Sequence, residues 1–343
     1  MSEPRNETAS PLDRAWDLLS QGNVEEAAVL ARASLEKTPD HPEAHTMLGL
    51  VASAEGDPRE ALECFRRAVK VANDYLPALV HAAEILLEED EPESCEEALE
   101  FLDSALDVAE EEDEYLDALL LRAQALTQLD LEEEAKATLA EIPPVDLPDP
   151  GFHARAGWCY LHLDSFSEAE QHFNAAVAKA PDDSDSKHGL GMVYEAKGDL
   201  EGQVKAWLGV RELDLADEPA PWAVSRETFE KIAEAALAEL PERARKLLEN
   251  VPILAADYPS VDVIKDGFDP RMMGFFSGVP YPEKVSVGGT SPHLDCVFLF
   301  QRNIERFSRT SEEVADEIRT TLIHETGHFF GLSDDDLEEM GLG

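Results

Sequence analysis

Gly22-Asn23-Val24-Glu25-Glu26-Ala27-Ala28-Val29-Leu30-Ala31 is echoed thirty-four residues later by Gly56-Asp57-Pro58-Arg59-Glu60-Ala61-Leu62-Glu63-Cys64-Phe65, and Gly157 and Gly191 stand the same distance apart. A fixed period of this length is the mark of a helical repeat array. Each unit has a small residue where two helices cross, an apolar or aromatic residue four positions later, and often a proline at its end. Ala27, Ala31 and Pro39 fill these places in one unit, and Ala169, Phe173 and Pro181 in another. Six units are expected, beginning near residues 8, 42, 76, 116, 150 and 184. The third carries a short insertion around Glu91 to Cys95, and the fourth ends early at Ile142-Pro143-Pro144, so the middle of the array is expected to be irregular.

The pattern resembles the tetratricopeptide repeat. Such units cannot bury their apolar faces alone, and they stack into a superhelix with a concave binding surface. Trp16, Phe65, Phe173, Tyr194 and Trp207 fall at packing positions and are read as core rather than as ligand contacts. His153, His162, His172 and His188 lie in the repeats and need no metal to explain them. The expected division is a disordered start over 1–7, a solenoid over 8–217, a linker over 218–225 and a C-terminal domain over 226–343. The linker is suggested by Ala216-Asp217-Glu218-Pro219-Ala220-Pro221, where prolines interrupt helix, with helix resuming from Arg226 to about Leu240.

Near the far end stands Leu322-Ile323-His324-Glu325-Thr326-Gly327-His328-Phe329-Phe330-Gly331-Leu332-Ser333-Asp334. Histidines four apart on a helix share one face, about 6 Å apart at Cβ, so both imidazoles can bind one ion with Glu325 beside it. Thr310 and Glu313 have the spacing of a capping box. Val314, Ile318, Leu322 and Phe329 recur at helical spacing, so the motif is predicted to lie in a helix. Gly331 suits a left-handed turn that ends the helix and folds the chain back towards the metal. His324, His328 and Asp334 would give Zn²⁺ three protein ligands and leave the fourth position to water. Asp335 and Asp336 compete with Asp334 on spacing alone. Glu325 is the expected general base for attack of that water on a peptide carbonyl.

The Gly331-Leu332-Ser333-Asp334 ending places an aspartate where most metzincin proteases carry a third histidine. More closely, the last 115 or so residues resemble a family of small bacterial zincin-like metallopeptidases. The resemblance is carried by Glu239-Leu240-Pro241-Glu242, Asn250-Val251, Met273-Gly274-Phe275-Phe276-Ser277-Gly278-Val279-Pro280, Phe298-Leu299-Phe300-Gln301-Arg302-Asn303-Ile304-Glu305-Arg306, the histidine motif, Leu337 and Gly341-Leu342. It implies a minimal zincin fold with a metal site. Fifteen residues follow His328, and Met340 stands too near the end to serve as the methionine turn of larger proteases. The run Cys296-Val297-Phe298-Leu299-Phe300 reads as a buried strand, either plain core or one that accepts an extended substrate by strand addition. His293 and Asp295, just before it, are read as ordinary loop residues, with a substrate contact as the alternative.

The sequence thus predicts a mainly α protein, a tetratricopeptide solenoid followed by a small α+β zincin-like domain. Its expected function is zinc-dependent peptide hydrolysis with a recruiting arm. The alternatives are a non-catalytic adaptor with a structural metal site and a metal-independent peptide holder. Net charge is -46. Before residue 225 there are 16 basic against 51 acidic residues, and from there on 12 against 23. Runs such as Glu110-Glu111-Glu112-Asp113-Glu114 repel phosphate backbones and anionic lipid, arguing against nucleic acid and membrane and for a protein or peptide partner with a basic segment. Cys64, Cys95, Cys159 and Cys296 show no paired spacing and read as free thiols. No apolar leader or membrane-length stretch is present, so a cytoplasmic location is expected.

Overall fold

The computed structural model describes residues 10–89, 91–143, 147, 149–278, 295–333 and 336. Residues 1–7, expected to be disordered, lie outside the described residues. The chain divides into two compact units, Met1–Gly189 and Leu190–Gly343. Among the described residues twelve helices follow one another as six consecutive pairs: α1 (Pro11–Ser20) and α2 (Val24–Lys37), α3 (Pro42–Ala54) and α4 (Pro58–Val71), α5 (Leu76–Glu88) and α6 (Pro92–Val108), α7 (Glu112–Gln128) and α8 (Glu132–Leu139), α9 (Pro150–His162) and α10 (Phe166–Lys179), and α11 (Ser184–Ala196) and α12 (Leu200–Asp214). The irregular middle is present: α6 and α7 run to 17 residues each and α8 to only 8.

The crossing residues explain the period. Ala27, Ala61, Ala98, Ala135 and Ala169 are all fully buried on the second helix of a pair, and Ala31, Phe65, Leu102, Leu139 and Phe173 follow one turn later at 0–1% exposure. Phe173 fills the space left by Gly157, where any Cβ would come within 2.8 Å of the ring. Five of the turns between paired helices use a left-handed residue. Gly22, Gly56 and Gly198 supply it where the sequence shows glycine, and Asp130 and Asp164 take the same conformation at φ 57° and 52°. Aspartate is among the few non-glycine residues that tolerate it.

In the sixth pair the crossing position is held by Gln203, not alanine. Its buried amide donates to Glu195 Oε1 at 3.2 Å and to the Gly267 carbonyl at 3.1 Å. At the end of α12, buried Asp214 is held by Arg271 at 3.2 Å and by Arg306 at 2.8 Å, and its carbonyl accepts from the Tyr258 hydroxyl at 2.7 Å. This helix is therefore built into the second unit. The expected division at 217 and 226 falls inside that unit, where Trp222 Nε1 donates to the Glu305 carbonyl at 2.8 Å and the Val224 amide to its carboxylate at 3.1 Å.

The rest of the second unit runs α13 (Arg226–Glu239), α14 (Glu242–Leu248), β1 (Ile253–Ala256), α15 (Val261–Lys265), β2 (Gly274–Ser277), β3 (Cys296–Phe300), α16 (Gln301–Phe307) and α17 (Ser311–Phe329). Among the described residues three strands form one sheet in the order β1-β3-β2, with β1 parallel and β2 antiparallel to β3. Phe229, Ala233 and Ala236 of α13 and Val314, Ile318, Leu322 and Phe329 of α17 share a core with Val297 and Leu299 of β3. β3 is the buried strand expected, but it is central and paired on both sides. It is therefore core, and its backbone has no free edge for an added strand. Among the described residues β2 pairs with β3 alone, so β2 is the strand beside the motif helix whose outer edge faces away from the sheet.

Candidate metal centre

α17 opens as its sequence demands. Thr310 caps it, its hydroxyl accepting from the Glu313 amide at 3.1 Å, while the Glu313 carboxylate reaches one residue further than a capping box requires and accepts from the Arg309 amide at 2.6 Å. The helix closes in a Schellman turn: the Leu332 amide donates to the Gly327 carbonyl at 3.1 Å and the Gly331 amide to the His328 carbonyl at 3.0 Å. Gly331 sits at φ +85°, which a side chain would resist.

That turn also delivers chemistry. It carries the Leu332 carbonyl to 3.0 Å from His328 Nδ1. With the Nδ1 proton donated there, the Nε2 lone pair of His328 is turned outward, towards His324 Nε2 at 3.0 Å. An imidazole anchored through one nitrogen on a carbonyl and presenting the other is the usual state of a zinc-bound histidine. Two imidazole nitrogens brought this close are a donor pair of the kind zinc accepts, so His324 and His328 could hold the metal. Glu325 lies on the buried side of the helix at 7% exposure, between α17 and β2.

Among the described residues, no group of three metal-binding side chains gathers. Asp334 and Asp335 lie outside the described residues, as do His293 and Met340. Asp336 is engaged elsewhere. Its Oδ2 accepts from the Ser333 amide at 2.9 Å and hydroxyl at 2.8 Å, and the Ser333 hydroxyl accepts in return from the Asp336 amide at 3.2 Å. These bonds, the backbone one foremost, hold the Asp336 carboxyl below its ordinary value. A serine three residues before an aspartate is a capping-box spacing, so this pairing was readable in the sequence. The Leu332 carbonyl was not, because a backbone oxygen leaves no trace in residue type.

In the first unit a groove of about 460 Å³ is lined by Leu120, Gln124, Gln128, Arg155, Trp158 and His162. A second, of about 500 Å³, includes Leu50, His81, Glu84, Glu88 and again Gln124. Arg155 is ion-paired with Asp117 and His81 Nδ1 is hydrogen-bonded to Glu84 at 2.7 Å, while Glu88 adds a further carboxylate, leaving an acidic balance. Cys159 also borders the first groove, and burial pushes its thiol up to about 11, which favours the protonated form at neutral pH.

Fold and site together define a helical-repeat protein joined to a small α+β domain with a paired-histidine helix. Comparison with known families gives the same two parts. The zincin-like metallopeptidase model matches residues 248–343, and the tetratricopeptide repeat model matches 12–77, 46–107 and 155–209. The chain therefore carries tetratricopeptide repeats in its N-terminal region and a zincin-like metallopeptidase domain at 248–343. The repeat model skips the irregular fourth pair. Among solved structures, PilF of Pseudomonas aeruginosa aligns at 19% identity and TM-score 0.50 over 60% of this chain and 91% of that one. PilW, a type IV pilus biogenesis factor, aligns at 14% and 0.51 over 61% and 94%. At such identities the likeness is one of fold alone. No curated protein matches the chain.

Proposed function

We propose that this chain is a zinc-dependent metallopeptidase whose repeat array recruits a polypeptide. The observation that carries the reading is the convergence of two Nε2 atoms at 3.0 Å, one of them oriented by the Leu332 carbonyl. His324, His328 and Asp334 would hold the ion. Asp334 is preferred because Asp336 is bound to Ser333 and because it stands three positions after the left-handed Gly331. Bound zinc supplies a water of pKa about 7 and polarises a carbonyl. Glu325 would take the proton from the attacking water on its carboxylate and return it to the leaving amine. The outer edge of β2 would align the extended substrate.

On the array, the grooves carrying Glu84 and Glu88 at one end and Trp158 at the other favour a partner segment that combines a basic with an apolar side chain. No disulfide joins the four cysteines, which suits a reducing, cytoplasmic setting. No helix among the described residues is long and apolar enough to cross a membrane.

Elemental analysis of protein purified without chelator or histidine tag tests the metal site. About one zinc per chain, lost in the His324→Ala, His328→Ala double variant, is the expected result. A wild-type chain that takes up no metal even with zinc added would sink the peptidase reading and leave the array as the functional part.

A further inference from the structure

Gly274, the first residue of β2, is not glycine for its backbone. Its φ lies outside the left-handed region that Gly331 and the turn glycines occupy, so any residue could adopt its conformation. What it lacks is room. A Cβ there would fall 2.6 Å from Cγ and 2.8 Å from Oε1 of Glu325, and 2.7 Å from Cγ2 of Thr321. Thr321 and Glu325 lie one turn apart on α17, at 5% and 7% exposure. The strand cannot simply back away. Gly274 is in register with Leu299, the Phe300 amide donates to the Met273 carbonyl at 2.8 Å, and Phe276 packs edge-on against Phe329 of the motif helix, ring centroids 5.8 Å apart.

We propose that Gly274 is a positioning residue for Glu325. The bare backbone of β2 forms one wall against the glutamate and fixes where its carboxylate stands on the motif helix. It also fixes how far the edge of β2 stands from that carboxylate. A methyl group at 274 pushes Glu325 aside, because the strand is pinned at both ends and close-packed interiors have no slack to absorb it. The functional meaning of this contact rests on the metallopeptidase reading, whereas the contact itself does not.

The test uses the full chain as Gly274→Ala, as Thr321→Ser with Glu325→Ala, and as all three together. Thr321→Ser and Glu325→Ala remove the three atoms that a Cβ would meet. Alone, Gly274→Ala is expected to lower the melting temperature of the second unit by several degrees. In the background lacking those atoms it should cost about one degree or less. Equal loss in both backgrounds would mean that strand packing alone demands glycine, and the proposal fails. If Gly274→Ala does not fold, folding of the triple variant supports the proposal, and failure of both overturns it. The second readout is the visible spectrum of cobalt-loaded protein. Gly274→Ala should keep its cobalt yet displace the bands as Glu325→Gln does, and thermal coupling with undisplaced bands would reduce Gly274 to packing. Zinc in the wild type without coupling refutes this inference and spares the peptidase reading. Coupling in a chain that binds no metal does the reverse.

Discussion

Glu325 and the two histidines have separable roles, and one substitution divides them. The glutamate is not a ligand in the proposed site, so Glu325→Gln should keep about one zinc per chain and lose peptide hydrolysis by two or more orders of magnitude. Full activity in that variant, measured on any peptide the wild type cleaves, would end the mechanism. A second residue-scale prediction concerns His172. It faces His153 across α9 and α10, Nδ1 to Nδ1 at 3.2 Å, with Tyr160 stacked on it. Burial, and then the neighbouring His153, push its pKa down to about 4. The folded value lies below the unfolded one, so the folded array favours the neutral ring. Its stabilising effect is complete above about pH 6.5 and is lost as pH falls from there towards 4. The loss amounts to up to about 3 kcal/mol. Urea unfolding of His172→Leu should show a shallower decline over that window than wild type.

Among the elements, α12 is the one whose place the sequence hid. Its register follows the repeat, with Trp207 buried against Gly191 at the same spacing as Phe173 against Gly157. Local pattern therefore assigned it to the array. Its membership of the second unit depends on Asp214, Arg271 and Arg306, which are far apart in the chain and meet only after folding. Breaking a buried pair on one side leaves charge uncompensated, so Asp214→Ala should destabilise the second unit by about 3–5 kcal/mol. A fragment beginning at residue 226 should likewise fail to fold as a compact domain, whereas one beginning at 190 should. Denaturant midpoints of the two fragments decide the matter. The helix carrying His324 and His328 was legible for the opposite reason. Its cap, apolar stripe and terminal glycine all lie within twenty-odd consecutive residues, where local rules suffice. The order of the three strands was not legible, because four- and five-residue strands carry too little pattern to say which one lies at the edge.

For the whole molecule, the repeat period and charge were open to reading because both are sums over many residues. The chain's net charge of -46 and the grooves bearing Glu84 and Glu88 point to the same partner chemistry. Affinity for a basic peptide should fall several-fold between about 50 mM and 300 mM salt as screening shortens. Binding indifferent to salt would remove the electrostatic part of the recruitment reading. Trp158 makes this measurable without labels. Of the four tryptophans, Trp207 is buried in the second unit and Trp222 is tied to Glu305, while Trp158 forms a wall of the groove. With the other three replaced by phenylalanine, the chain would carry its own optical probe. Occupancy of the groove should then appear as a change in the colour and intensity of a single indole's emission.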